Sequence, residues 1–141
     1  MRELHAARVD AVLLISAAMP GDRLREMSGS VPAVSLTRRV DGLDSVVGDD
    51  WAGGRMLTEH LLSLGHERIA MLGPTWSPSD RVLVHEEAMR AAGLAAEVIA
   101  TGYDADAVAR ATRELLGRPA GERPTAIMAH NDIAEIGRAH V

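Results

Sequence analysis

The 141-residue chain contains no cysteine, no lysine and no phenylalanine, and aromatic residues make up 2% of it. Each absence removes a class of chemistry. Without Cys there are no disulfides, thiol nucleophiles or thiolate-bound metals. Without Lys, Schiff-base catalysis and the P-loop lysine are excluded, and all fifteen basic residues are Arg. No aromatic stacking row is present, and a net charge of −5 opposes gripping a phosphate backbone. No apolar run approaches the ~18 residues needed to span a bilayer, and MRELHAARVD carries no apolar signal-peptide core. A cytoplasmic protein without a membrane partner is therefore expected.

Catalytic and metal signatures are missing as well. The chain has no G-x-S-x-G, H-E-x-x-H or G-x-G-x-x-G motif, and Gly53–Gly54 reads as close helix packing. His60 and His66 straddle a helix end instead of sharing one helix face, so no metal is expected. Trp51 and Trp76 read as core residues more than as cofactor contacts. No acid–base or nucleophile set converges, which argues against an enzyme and against any cofactor.

What remains is a regular alternation of strand-like and helix-like segments. VDAVLLIS (Val9–Ser16) is a short apolar run of the kind buried on both faces of a parallel sheet. Pro20–Gly21 breaks it, and DRLREMSG suits a short helix stopped by Gly29. VPAVSL and SVVGDD read as two further strands around an Asp-Gly turn. Asp49–Asp50 can cap a helix in which Met56, Leu57, His60, Leu61 and Leu64 recur at helical spacing. RIAMLG is a buried strand, and a helix from about Ser79 to Ala92 follows, closed by Gly93. AEVIAT, the amphipathic DADAVARATRELLG and PTAIMAH complete the series. Strands alternating with helices of ten to fifteen residues imply an α/β fold with doubly wound parallel sheets.

EHLLSLGHERIAMLGP (Glu59–Pro74) resembles the effector-sensing domain of LacI/GalR-family transcriptional regulators, in which a "HLLxLGH" helix end precedes a "RIAxLxGP" strand. The family's "VDGVILxS" is echoed by Val9–Ser16, "VDSVVVDDxAG" by Leu43–Gly53 and "PTAVxAxND" by Pro124–Asp132. These motifs cover nearly the whole chain in the family's order. The resemblance implies a type I periplasmic-binding-protein-like fold, incomplete at both ends. It also implies two subdomains closing on a small effector, which is a sugar or a nucleoside-like molecule. Residues 1–48 then belong to the N-terminal subdomain and residues 49–135 to the C-terminal one. Operator DNA is bound in that family through a helix-turn-helix domain absent from this chain, and the full-length proteins form homodimers. A periplasmic sugar-binding protein of an ABC transporter shares the fold and is the alternative, although the LGHERIA segment favours the regulator.

Ligands of doubly wound sheets bind at strand ends, where loops and helix N-termini converge. Arg81, in the first turn after GPTWSPSD, matches the family arginine that reaches effector hydroxyls or carboxylates. Its planar fork suits that work, and the helix dipole disfavours a cation there for purely structural reasons. Asn131 matches the family's effector-contacting Asn, although Asn131 and Asp132 are both also good helix caps. Trp76 can stack on a ring from its loop, and Ser16 and Thr37 end the two N-terminal strands facing the same cleft. Many family members carry Asp where Thr37 stands. The helix pattern R-L-x-G-[FY] is also broken, because Val84 replaces a small residue and His85 an aromatic.

The last segment, Ile136–Val141, is the peptide IGRAHV that a common sequencing adapter encodes, and it is expected to be a non-native scar. The competing view is that Gly137 fits a family glycine and the helix continues through it.

Overall fold

The computed structural model describes residues 9–15, 19–29, 31–74, 79–102 and 104–139, which leaves Ser16 and Trp76 outside the described residues. The chain divides into two compact units, Met1–Gly48 and Asp49–Val141.

In the first unit three parallel strands lie in the order β1-β2-β3: β1 (Val12–Ile15), β2 (Ala33–Leu36) and β3 (Asp44–Val46). Helix α1 (Gly21–Ser28) crosses over from β1 to β2 and buries Leu24. Gly42 turns the chain with φ +79, and a Cβ there would sit 3.0 Å from the Arg25 stem. The apolar β1 run is not buried on both faces, contrary to the sequence reading. Leu13 and Ile15 are 63% and 65% exposed, and Val46, level with Ile15 across β2, is equally open. The physical reason is that α1 is the one described helix of this unit, so one sheet face has no cover among the described residues.

The second unit is a three-layer α/β/α arrangement. Its strands β4 (Ile69–Gly73), β5 (Glu97–Ala100) and β6 (Ala126–Ala129) are all parallel, in the order β5-β4-β6. The helices are α2 (Asp50–Ser63), α3 (Asp80–Ala91), α4 (Ala105–Leu116) and α5 (Asp132–Ala139). The period-two geometry of central β4 serves both layers. Ala70 and Leu72 meet Val108, Ala111, Leu115 and Ala134, whereas Ile69 and Met71 meet Val82, Met89 and Met128. Every β4 residue is buried, and each large apolar side chain so placed contributes about 1.5–3 kcal/mol.

Local chemistry sets the helix ends. Asp49 caps α2 by accepting from the Ala52 N–H at 2.9 Å. At the other end Gly65 adopts φ +87, its N–H bonds the Leu62 carbonyl, and the His66 N–H bonds that of Leu61. The His66 backbone, and not its ring, therefore covers those carbonyls; the ring lies 3.0 Å from the Thr125 hydroxyl.

The packing face of α2 keeps only part of the leucine stripe read in the sequence: Leu61, with Leu62 beside it, packs against the Ile69 and Met71 side of the core. Met56, Leu57 and Leu64 are exposed, Trp51 is 38% exposed and so is no core residue, and the buried positions are Gly54 and Thr58. Small residues win because α2 and α3 approach too closely for larger ones. A Cβ on Gly54 would lie 2.5 Å from Val84 Cγ1 and 3.2 Å from the Arg81 Cα. Gly54 thus offsets the bulk of Val84, the larger residue that α3 carries here.

Beside this contact His85 is fully buried, with Nδ1 3.3 Å from the Thr58 hydroxyl. That hydroxyl donates to the Gly54 carbonyl at 2.9 Å, so the ring donates from Nδ1 and leaves Nε2 as a buried acceptor without a partner among the described residues. Burial lowers the pKa of His85.

Two predictions follow from this interface. Gly54→Ala should destabilise the unit by about 1–3 kcal/mol through overpacking, whereas Gly53→Ala, with nothing within 4 Å, should stabilise it by up to about 1 kcal/mol; urea denaturation of the pair checks the contrast. A histidine held neutral when folded loses stability as pH falls below its unfolded value of about 6.5, at up to ~1.4 kcal/mol per unit. His85→Phe should flatten that acid-side slope and gain roughly 1–2 kcal/mol at pH 7 by removing the orphan nitrogen; an unchanged slope would count against the burial argument.

Candidate functional site

The site grows out of the α2–α3 contact. With the helices drawn together at Gly54, the first turn of α3 lies over the first turn of α2. The Arg81 guanidinium then donates to Asp50 Oδ1 from Nε at 3.0 Å and from Nη2 at 2.7 Å. Its Nη1 donates to the backbone carbonyl of His130, just past the end of β6. The fork bridges two helix starts and a strand end. The ion pair is about two-fifths exposed on both sides, so it contributes at most about 1 kcal/mol to stability. Its role is positional: Asp50 offsets the unfavourable placement of a cation at a helix N-terminus.

A hollow of about 240 Å³ lies here, lined by Asp50, Gly54, Leu57, Arg81, Met128 and His130 among others. Larger hollows occur at the N-terminal ends of β4 and β5, beside Glu67, Glu97 and Glu122, and along β6 near Thr112 and Arg138. Of these three hollows among the described residues, the one at Arg81 sits at a C-terminal strand end, where loops and helix starts supply directed polar groups.

His130 forms part of the hollow and is 7% exposed. Its Nδ1 lies 3.1 Å from the Leu72 carbonyl, which fixes that nitrogen as the donor. Nε2 is then an acceptor for the Asn131 amide, whose Nδ2 stands 3.1 Å away. Burial is the main cause lowering the pKa of His130; the Leu72 bond opposes this and the Arg81 charge reinforces it. The ring is neutral and aligned by two fixed partners.

Asn131 is tied at both ends of its amide. Besides donating to His130, its Oδ1 accepts from the Ala134 N–H at 2.8 Å and caps α5. Asp132 follows as an exposed carboxylate in the first turn. Helix α5 continues through Gly137, where a Cβ would meet the Ala105 carbonyl at 2.8 Å. Its glycine is what lets α5 pack on α4.

Of the residues singled out in the sequence, Arg81 and Asn131 are brought together around His130, with Asp132 adjacent. Thr37 belongs to the first unit and ends β2 with φ +71, a left-handed backbone that is costly for a β-branched side chain. Its N–H bonds the Val46 carbonyl at 2.8 Å, continuing the sheet pairing. Ser16 and Trp76 lie outside the described residues. Sequence reasoning treated Asp50 only as a cap and gave His130 no role. The available signal was a polar ring placed directly between a buried strand and the Asn-Asp pair.

Parallel α/β layers with a polar hollow at a strand end are an arrangement at which small molecules commonly bind. The match is more specific than that: the chain belongs to the family of periplasmic binding proteins and sugar binding domains of the LacI family, which it matches over residues 1–141. It is 33% identical over 129 residues to the maltose regulon regulatory protein MalI of Escherichia coli K12, spanning 87% of this chain and 35% of MalI. A LacI transcriptional regulator from a Rhodococcus species superposes with TM-score 0.88 at 31% identity, over 99% of this chain and 53% of that one. A LacI-family regulator from Mycobacterium smegmatis superposes with TM-score 0.81 at 36% identity, over 99% and 54%. The chain thus spans about a third of MalI and about half of each solved regulator.

Asn131→Ala should cost about 1–2 kcal/mol and speed hydrogen exchange at the Ala134 amide. Asn131→Asp, which keeps the capping oxygen, should lose much less; equal losses would mean that the cap is not the function of this side chain.

Proposed function

We propose that this chain is the effector-sensing part of a LacI-type transcriptional regulator and that the hollow at Arg81 receives the effector. The observation that carries the reading is the Arg81 fork, fixed by Asp50 and the His130 carbonyl at a strand end, in a chain of this family. The remaining N–H donors of Arg81, held in a partly enclosed hollow, can bond hydroxyl groups on a small ring. Asn131 and Asp132 follow His130 directly and are proposed as further contacts at the rim, Asn131 through whatever donor capacity its bonds to His130 and Ala134 leave. The effector is a sugar or nucleoside-like molecule. It acts by shifting the population of sensor states that differ in operator affinity. Operator DNA is bound through a helix-turn-helix part of the full-length protein, in keeping with the acidic charge of this chain, and that protein works as a cytoplasmic homodimer. The relatives are regulators, which supports this reading over a transport protein and over an enzyme.

The test is titration of the ¹⁵N-labelled chain with millimolar pentoses, hexoses and nucleosides. Shifts should cluster at Gly54, Arg81 and His130, and Arg81→Ala should weaken binding at least about tenfold. Binding that leaves those resonances unmoved, or survives Arg81→Ala, would overturn the assignment.

A further inference from the structure

Arg81 is not a bare cation. Three of its N–H donors are committed, two of them to the same carboxylate oxygen, Asp50 Oδ1. The other oxygen of Asp50 has no hydrogen-bond partner among the described residues, and both side chains line the hollow. A ligand arriving there meets unused guanidinium donors next to an unused carboxylate acceptor. A hydroxyl group both donates and accepts, so a pair of adjacent hydroxyls can satisfy the two together. A phosphate or carboxylate offers acceptors alone. It would take the Arg81 donors while lying beside the Asp50 carboxylate, a like-charge contact that opposes its binding. The neighbouring groups do not relieve this. Burial and the Arg81 charge keep His130 neutral, and Asp132 adds a second carboxylate past Asn131.

We infer that Asp50 is a specificity-determining residue, selecting uncharged polyhydroxyl effectors and excluding anionic ones from Arg81. The inference rests on the effector reading above and narrows it. Asp50 is suited to such selection because its exposed pair contributes little to stability, which leaves its charge available for discrimination.

The experiment compares the 141-residue chain with its Asp50→Asn variant, which keeps an oxygen to accept from Arg81 but removes the charge. The probes are ribose, ribose 5-phosphate and inorganic phosphate, followed at the Arg81 Nε–H resonance. The unaltered chain should bind ribose roughly tenfold or more tighter than ribose 5-phosphate. Asp50→Asn should reverse that ratio and gain phosphate binding, and the gain should vanish in the Asp50→Asn/Arg81→Ala double variant. Superposable amide spectra away from the hollow establish that the variants fold alike. Equal or tighter binding of the phosphorylated probe by the unaltered chain overturns the charge assignment while leaving the effector reading standing. Gain of phosphate binding in Asp50→Asn without ribose binding in either chain upholds anion exclusion and overturns the polyol reading. No response of Arg81 to any probe in either chain overturns both.

Discussion

The second unit depends on how closely α2 and α3 approach at Gly54. There the distance between the helices is set by the absence of a side chain. From it follow the placement of Val84, the burial of Thr58 and His85, and the reach of Arg81 to Asp50. A wider spacing would carry the start of α3 away from both Asp50 and the end of β6. The hollow is thus a by-product of helix packing, its polar groups placed by a steric constraint more than by their own attraction.

Much of this was legible in advance, and the limits have physical causes. Strand and helix identities followed from period and punctuation, because parallel strands are short apolar runs and Gly65 and Gly93 stop helices through left-handed backbones. The α4 face, Val108, Ala111 and Leu115, is buried as its spacing indicated. The α2 face was read in part: Leu61 and Leu62 pack on the core as expected, but periodicity registers large apolar residues and so missed the closest contact, which this helix makes through glycine and threonine. Burial of β1 was misread because an apolar run records what a strand can bury and not what covers it.

The site was legible in its main group and not in its neighbours. Arg81 stood out by position, being a cation where the dipole disfavours one. Asp50 and His130 did not, since their roles depend on pairings 31 and 49 residues distant along the chain. Thr37 shows a related limit: a left-handed backbone at a strand end is a tertiary property, and threonine gives no local sign of adopting it. Family membership supplied the frame in which these positions matter. Its chain-specific departures, Val84, His85 and Thr37, proved to be places where the packing or the backbone is unusual.

The residues around the hollow differ in how far they are free to change. Gly54 is locked by sterics, and Asn131 by a cap and by the histidine ring it steadies. Asp50 has no such obligation beyond one exposed pair. Drift in sequence would therefore be unevenly distributed around a single ligand, with the framework positions conserved by folding and the discriminating position left open to selection. A lineage could exchange one class of ligand for another at Asp50 alone and keep the same scaffold.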